Sequence, residues 1–240
     1  MDAQYTLRYR ELYEKHWWWR AREQLILSTL KKIRPVENWG PILDIGCGDG
    51  LFFDRLSKLG DVEGIEMDSS LVSPIGRWRN RIHMRPFDGA FEPGKQYSLI
   101  LMLDVLEHFV HPLACLRRAL ELLEPQGTLL VTVPAFRCLW TSHDELNHHF
   151  TRYTKQSFAR LACEAGMRIH DSRYFFLWTC PVKLAIRLKE KLLPRYPTVP
   201  RLPPRWINEK LYELSRIEHK IFGALPMPFG SSLIVIGGKH

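Results

Sequence analysis

Pro41-Ile42-Leu43-Asp44-Ile45-Gly46-Cys47-Gly48-Asp49-Gly50 sets a short apolar run directly before three glycines at alternate positions. Leu51, Phe52, Leu56 and Leu59 follow at helical spacing until Gly60, so the segment reads as strand, glycine turn, helix. Glycines there let the backbone turn sharply and approach a ligand, and a helix N-terminus would direct NH groups into the same space. The spacing G-x-G-x-G falls short of the dinucleotide pattern G-x-G-x-x-G. Asp44 would repel a pyrophosphate but could receive an ammonium. Glu66 ends the next strand about 20 residues on, where an acid can accept both hydroxyls of a ribose. The bland alternative is a turn that only connects two elements; with Glu66 the pair reads as a nucleoside site.

Outward from this point the alternation continues. Strands are expected at 62–66, 82–85, 98–103, 127–133, 167–176 and 232–237, with helices at 69–80, 110–123 and 154–166. Strands that are apolar on both faces and separated by helices indicate a parallel sheet covered on both sides, an α/β fold. Residues 1–34 read as a helical cap, with Trp17, Trp18 and Trp19 ahead of Leu25, Ile26, Leu30 and Ile33, until Pro35. The expected organisation is one domain: the cap 1–34, a cofactor-binding core 35–176, a basic helical insertion 177–230 and a last strand 231–240. The insertion contains Pro181, Pro194, Pro197, Pro200, Pro203 and Pro204 between two amphipathic stretches.

The sequence resembles the class I S-adenosylmethionine-dependent methyltransferases. Leu43 to Gly50 matches the first motif of that family and Gly64-Ile65-Glu66-Met67-Asp68 the second. Tyr97-Ser98-Leu99-Ile100 leading to Asp104-Val105-Leu106-Glu107-His108 matches the fourth, and Leu123 to Leu130 the turn into strand five. The resemblance covers residues 41 to about 176 and implies a Rossmann-like seven-stranded sheet of order 3-2-1-4-5-7-6, with S-adenosylmethionine across the carboxyl strand ends and S-adenosylhomocysteine as product. It further implies that Asp44 and the turn Gly46, Cys47, Gly48, Gly50 hold the methionine moiety. Glu66 would take the ribose diol, Met67 one adenine face, Asp88 the adenine amino group, and Leu103 with Asp104 would complete the pocket. The absence of [ND]-P-P-[YF] after strand four disfavours base N-methylation, and Val133-Pro134-Ala135 lacks the Pro-Cys nucleophile of cytosine chemistry. Asp104 to His108 is similar to the quinone and natural-product branch.

Net charge is +8 over 240 residues, and residues 181–222 carry ten Lys/Arg against four Glu, which supplies +6 of it. So local an excess points to an anionic partner. Val182, Leu184, Ala185, Ile186, Leu188, Leu192 and Leu193 share one half of a helical wheel, with Lys183, Arg187, Glu190 and Lys191 on the other and only Lys189 breaking the division, a pattern that fits a lipid interface through 181–193 or a substrate lid. The second stretch, Trp206 to Phe222, is expected to bury Ile207, Leu211, Leu214 and Ile221. Five Cys at irregular spacing and a charged N-terminal stretch fit a cytoplasmic protein, peripheral at the inner membrane face.

After strand five comes Leu139-Trp140-Thr141-Ser142-His143-Asp144-Glu145-Leu146-Asn147-His148-His149-Phe150-Thr151-Arg152-Tyr153. A hydroxyl acceptor must lose a proton during methyl transfer, and His is matched to that task near neutrality. His143, His148 and His149 are the candidate bases, with His108 beside Glu107 a separate one. The alternatives are a structural role, capping the helix that follows, and a metal site of His143, Asp144, His148 and His149; no metal is expected. The function expected is methyl transfer to an oxygen of a hydrophobic or lipid-linked small molecule. The rivals are an RNA methyltransferase, with nucleic acid disfavoured as partner by the fourth motif, and a non-catalytic S-adenosylmethionine-binding module.

Overall fold

The computed structural model describes residues 3–193, 200–223 and 225–240; Pro194, Arg195 and Pro197 of the proline-rich stretch lie outside them. β1 (Pro41–Ile45) pairs in parallel with β2 (Asp61–Glu66) and with β4 (Tyr97–Leu103), β2 with β3 (Ile82–Met84), and β4 with β5 (Leu123–Pro134). β6 (Met167–Phe175) and β7 (Ser232–Lys239) complete a seven-stranded sheet of order 3-2-1-4-5-7-6, as the resemblance implies. Ile42, Leu43, Leu99, Ile100, Leu101, Leu129, Leu130 and Val131 are fully buried. That explains the apolar character of both strand faces: a central parallel strand has no solvent side.

Two compact units are formed. One comprises Ile33–Val133, Thr154–Ser172 and Ile234–His240. In it α4 (Pro112–Leu122) starts on Pro112 and packs on α6 (Lys155–Ala165). α6 opens with a reciprocal Thr154–Ser157 capping box and closes at Gly166, whose φ of +80° is left-handed. The helix expected at 69–80 does not form: only single 3-10 turns occur, at Ser69–Leu71 and Arg79–Arg81. Pro74 and Gly76 break the pattern, and the Asp49 carboxylate takes the Ser73 NH at 2.8 Å. The helix after the glycine turn shrinks to α3 (Phe53–Leu56).

The other unit comprises Met1–Lys32, Pro134–Tyr153 and Arg173–Leu233. The cap and the insertion, separate in the sequence reading, pack together here. The expected single N-terminal helix is broken at His16 into α1 (Ala3–Lys15) and α2 (Trp17–Ile33). Asn208 of α8 (Arg205–Phe222) spans the break: its Oδ1 accepts from Trp17 N at 2.9 Å and its Nδ2 donates to Lys15 O at 2.8 Å. One side chain thus satisfies a helix end and a helix start. Arg20 pairs with Glu209 at 2.6 Å, and Tyr212 Oη donates to Gln24 at 3.0 Å. Trp17 lies 5.1 Å from Trp178 and Trp18 5.9 Å from Phe176, ring to ring, while Trp19 is buried. The three tryptophans pack an aromatic seam in this unit.

The faces of the two insertion helices differ from expectation. α8 buries Asn208, Ser215 and Glu218, while Leu214 and Ile221, expected inside, are exposed. The cause is polar demand: Glu218 accepts from Trp178 N at 2.9 Å, and Ser215 from Trp178 Nε1 at 3.2 Å. α7 (Thr179–Leu192) turns Lys183, Arg187 and Glu190 inward and leaves Val182, Leu184, Ile186, Leu188 and Leu192 exposed.

Candidate functional site

The glycine turn and the second-strand acid converge. Gly46, Gly48 and Gly50 have φ of +73°, +56° and +67°, the left-handed region in which a side chain is strained. A Cβ on Gly46 would also lie 2.7 Å from Val105 Cγ2. Ile65 O accepts from Gly46 N at 2.8 Å and Cys47 N at 3.3 Å, and Glu66 accepts from Gly48 N and Asp68 N at 2.9 Å each. These NH groups are therefore fastened to the end of β2 rather than directed into a ligand space from a helix N-terminus. Cys47 is buried, its thiol pushed well up by burial and then by the Asp44 and Glu66 carboxylates. Its side chain fills the place of a Cβ on Gly64, where Sγ would lie at 2.5 Å. Gly64 is thus a residue the sequence reading quoted without giving it work.

Asp44 is the penultimate residue of β1 and Glu66 the last of β2, both buried, on neighbouring parallel strands in which Asp44 lies opposite Gly64. Burial raises the Glu66 carboxyl against the pull of the Asp68 and Gly48 NH groups. Met67, next in the chain, is 72% exposed. Two buried carboxylates at adjacent strand ends, with an exposed apolar side chain beside them, fit a ligand that carries an ammonium, a diol and a flat base. Leu103 and Asp104 close β4; Asp104, at φ +57°, binds Thr132 through both its NH and its carboxylate at 3.1 Å. Asp88 is exposed and closes its own turn, accepting from Ala90 N at 2.9 Å. His108 is exposed on the 3-10 turn Leu106–His108.

Glu66→Ala is expected to weaken S-adenosylmethionine binding by about 1.5–3 kcal/mol, roughly 10- to 150-fold, the worth of hydrogen bonds to a charged group. Calorimetry on folded protein measures it. Unchanged affinity would remove Glu66 from the site.

The segment after β5 is organised around Asp144. α5 (Ser142–Leu146) opens with a capping box between Thr141 and Asp144. The Asp144 carboxylate, fully buried, receives Arg152 Nε at 2.8 Å and Nη2 at 2.9 Å, Thr141 N at 2.9 Å, and His149 Nδ1 at 2.9 Å. Burial alone would raise its pKa; the His149 bond and the Arg152 guanidinium hold it well below the usual carboxylate range. His149 is thus part of this network; the His143 carbonyl accepts from Asn147 Nδ2 at 2.8 Å instead, and His148 is exposed at φ +55°. Arg152, read in sequence as part of the cluster but given no role, is the network's cation. Nothing in its spacing announced that.

Burial, then the Lys183 ammonium, lowers His143 to about 4, and burial alone lowers His16 to about 4. A folded value below the ordinary 6.5 means the unfolded chain takes up the proton first. The stabilisation is complete above 6.5 and is lost as pH falls from there toward about 4. Glu66 and Glu218, raised by burial, act in the opposite sense. The test is therefore site-specific: His16→Gln and His143→Gln should each flatten the acid side of the Tm-against-pH curve. Curves parallel to wild type would remove the burial argument.

A seven-stranded sheet of this order, with buried acids near the carboxyl ends of its first two strands beside a glycine turn, defines a class I S-adenosylmethionine-dependent methyltransferase. The chain belongs to the methyltransferase-domain family, whose model matches residues 18–172. It is 29% identical over 97 residues to the ubiquinone biosynthesis O-methyltransferase of Bradyrhizobium diazoefficiens, covering 38% of each chain. It is 25% identical over 144 residues to that of Hydrogenovibrio crunogenus, covering 56% of this chain and 54% of the other. The chain thus spans about half or less of the curated relatives it matches. Among solved structures, a TehB-like S-adenosylmethionine-dependent methyltransferase from Corynebacterium glutamicum superposes with a TM-score of 0.54 at 16% identity, over 99% of this chain and 97% of that one. That likeness shows the fold. Among the described residues no helix is long and apolar enough to cross a membrane.

Proposed function

We propose that the chain transfers the methyl group of S-adenosylmethionine to an oxygen of a hydrophobic or lipid-linked small molecule at the inner membrane surface, with His149 as base. The observation that carries this reading is the Asp144–His149 pair, 2.9 Å between Oδ1 and Nδ1, in the segment that follows β5. The matched relatives are named as O-methyltransferases, which supports oxygen as the acceptor.

S-adenosylmethionine supplies, when bound, an electrophilic methyl on a sulfonium. Asp44 receives the ammonium of its methionine part, Glu66 the ribose diol, Met67 one face of the adenine and Asp88 its amino group; Leu103 and Asp104 bound the pocket beside the turn Gly46 to Gly50. Asp144 fixes the His149 ring with its Nδ1 proton toward the carboxylate, which assigns the basic lone pair to Nε2. Nε2 would take the proton of an acceptor hydroxyl, leaving its oxygen free to receive the methyl group that the sulfonium would supply and the sulfur to keep the bonding pair. His143, held at about 4 by burial, is a weak base and positions the loop instead.

The test is a lipid and metabolite extract incubated with the protein and methyl-labelled cofactor. Label in an apolar fraction, resistant to mild base as an ether is, is the expected result. Label in RNA, or none in any fraction despite cofactor binding, would overturn the acceptor or the activity respectively.

A further inference from the structure

We propose that α7 is a two-faced strap: its outer face docks on an anionic bilayer while its inner face holds the acceptor segment, so that docking orders that segment. The inference rests on the proposed reading in one respect, that residues 135–153 serve the acceptor.

The inner face is explicit. Arg187 Nη1 donates to Arg137 O at 2.7 Å, and Glu190 accepts from Ser142 N at 3.1 Å and Ser142 Oγ at 2.6 Å. Lys183, on the same face, is close enough to lower the His143 pKa. Spacings of four and three residues put all three on one side of the helix. Arg187 and Glu190 grip the segment that contains the candidate base, and the Lys183 charge faces it.

The outer face has no such work. Val182, Leu184, Ile186, Leu188, Leu192 and Leu193 are 43–75% exposed, an apolar patch of a size that single surface leucines do not explain. An amphipathic helix normally buries this side; here the polar contacts of the opposite face fix the helix the other way round. α8 repeats the pattern: Trp206, Leu214, Ile217 and Ile221 are exposed along one stripe with Lys210 among them.

Charge selects the occupant. The exposed residues of α7 include Lys189 and Lys191 and no carboxylate, Glu190 being turned inward to Ser142. A second copy of the chain would set these lysines against their own equivalents, whereas anionic headgroups neutralise them around an apolar interior. Nucleic acid would match the lysines but leave the leucines in water.

The experiment is co-flotation with vesicles of phosphatidylcholine alone and of phosphatidylcholine with phosphatidylglycerol, with hydrogen exchange read at residues 140–146 and S-adenosylmethionine affinity measured on the same samples. Wild type should float with the anionic vesicles, and those amides should slow on docking. Leu184→Ser with Leu188→Ser should abolish flotation; both side chains are exposed, so folding should survive. Lys189→Gln with Lys191→Gln should lower partitioning about thirty-fold, each cation being worth about five-fold. Glu190→Gln should float like wild type without the slowing at 140–146. Equal binding to neutral vesicles, concentration-dependent dimers in place of flotation, or an RNA shift with steep salt dependence would overturn docking. Flotation without slowing in wild type would overturn the coupling. Intact S-adenosylmethionine affinity in a chain that does not float would leave the methyltransferase reading standing while the strap fails.

Discussion

His149→Ala is expected to lower turnover about 10²-fold or more, the usual worth of a general base, with S-adenosylmethionine affinity unchanged. The companion variants sharpen it. His148→Ala, at an exposed position, and His108→Ala should stay within a few-fold of wild type. His143→Ala should cost stability before activity, because that half-buried ring, lowered to about 4, is a weak base. His149→Asn retains a donor toward Asp144 yet offers no proton acceptor, so it separates positioning from catalysis. If the ring only holds the loop, the asparagine should restore activity; if it is the base, it should not. Turnover within a few-fold of wild type for His149→Ala would return the ring to a structural role. A chelator should leave wild-type activity intact, and loss of activity would revive the metal reading of the cluster.

The path from residues to fold was legible where local chemistry and long-range packing agree. Leu43 to Gly50 could be read because a strand buried on both faces is apolar on both faces, and because left-handed turns at three alternate positions leave little choice but glycine. The same reading proposed Asp44 there and Glu66 in the next strand, both of which are buried near the carboxyl ends of neighbouring parallel strands. The stretch 69–80 was misread because helical spacing of Leu71, Val72 and Ile75 weighs less than Pro74 and Gly76. In α7 the wheel separates an apolar from a polar half, although Lys191 of the polar half is exposed, and in α8 two of the four residues expected inside, Leu214 and Ile221, are exposed; amphipathicity does not say which face is inward. That was decided by hydrogen-bond partners far away in the chain: Ser142 and Arg137 for α7, Trp178 and Trp17 for α8. Asn208 spans a break nearly two hundred residues earlier in the chain. No local pattern encodes such a pair. The histidine cluster was found for its residue types, and its selection of His149 required the Asp144 geometry.

The largest stability effect is expected at Asp144 itself. Asp144→Ala should destabilise the chain by about 3–5 kcal/mol, because it leaves the Arg152 guanidinium, 1% exposed, as an unpaired buried charge. Arg152→Ala should cost a similar amount, stranding the carboxylate and freeing Ala135 O, which Arg152 Nη1 holds at 2.9 Å. The double variant should cost clearly less than the sum, since neither charge then remains alone, and the shortfall measures the pair. Asp144→Asn should fall between wild type and alanine: it keeps an acceptor for Thr141 N at the start of α5 but not the ion pair. Urea denaturation of the four variants provides the cycle. Additive costs, or an Asp144→Ala loss under about 1 kcal/mol, would mean that the pair is not what holds residues 141–152. Because Asp144 also fixes His149, turnover should fall in Asp144→Ala even at temperatures where the protein is fully folded, whereas a purely structural carboxylate would cost activity only as the chain unfolds.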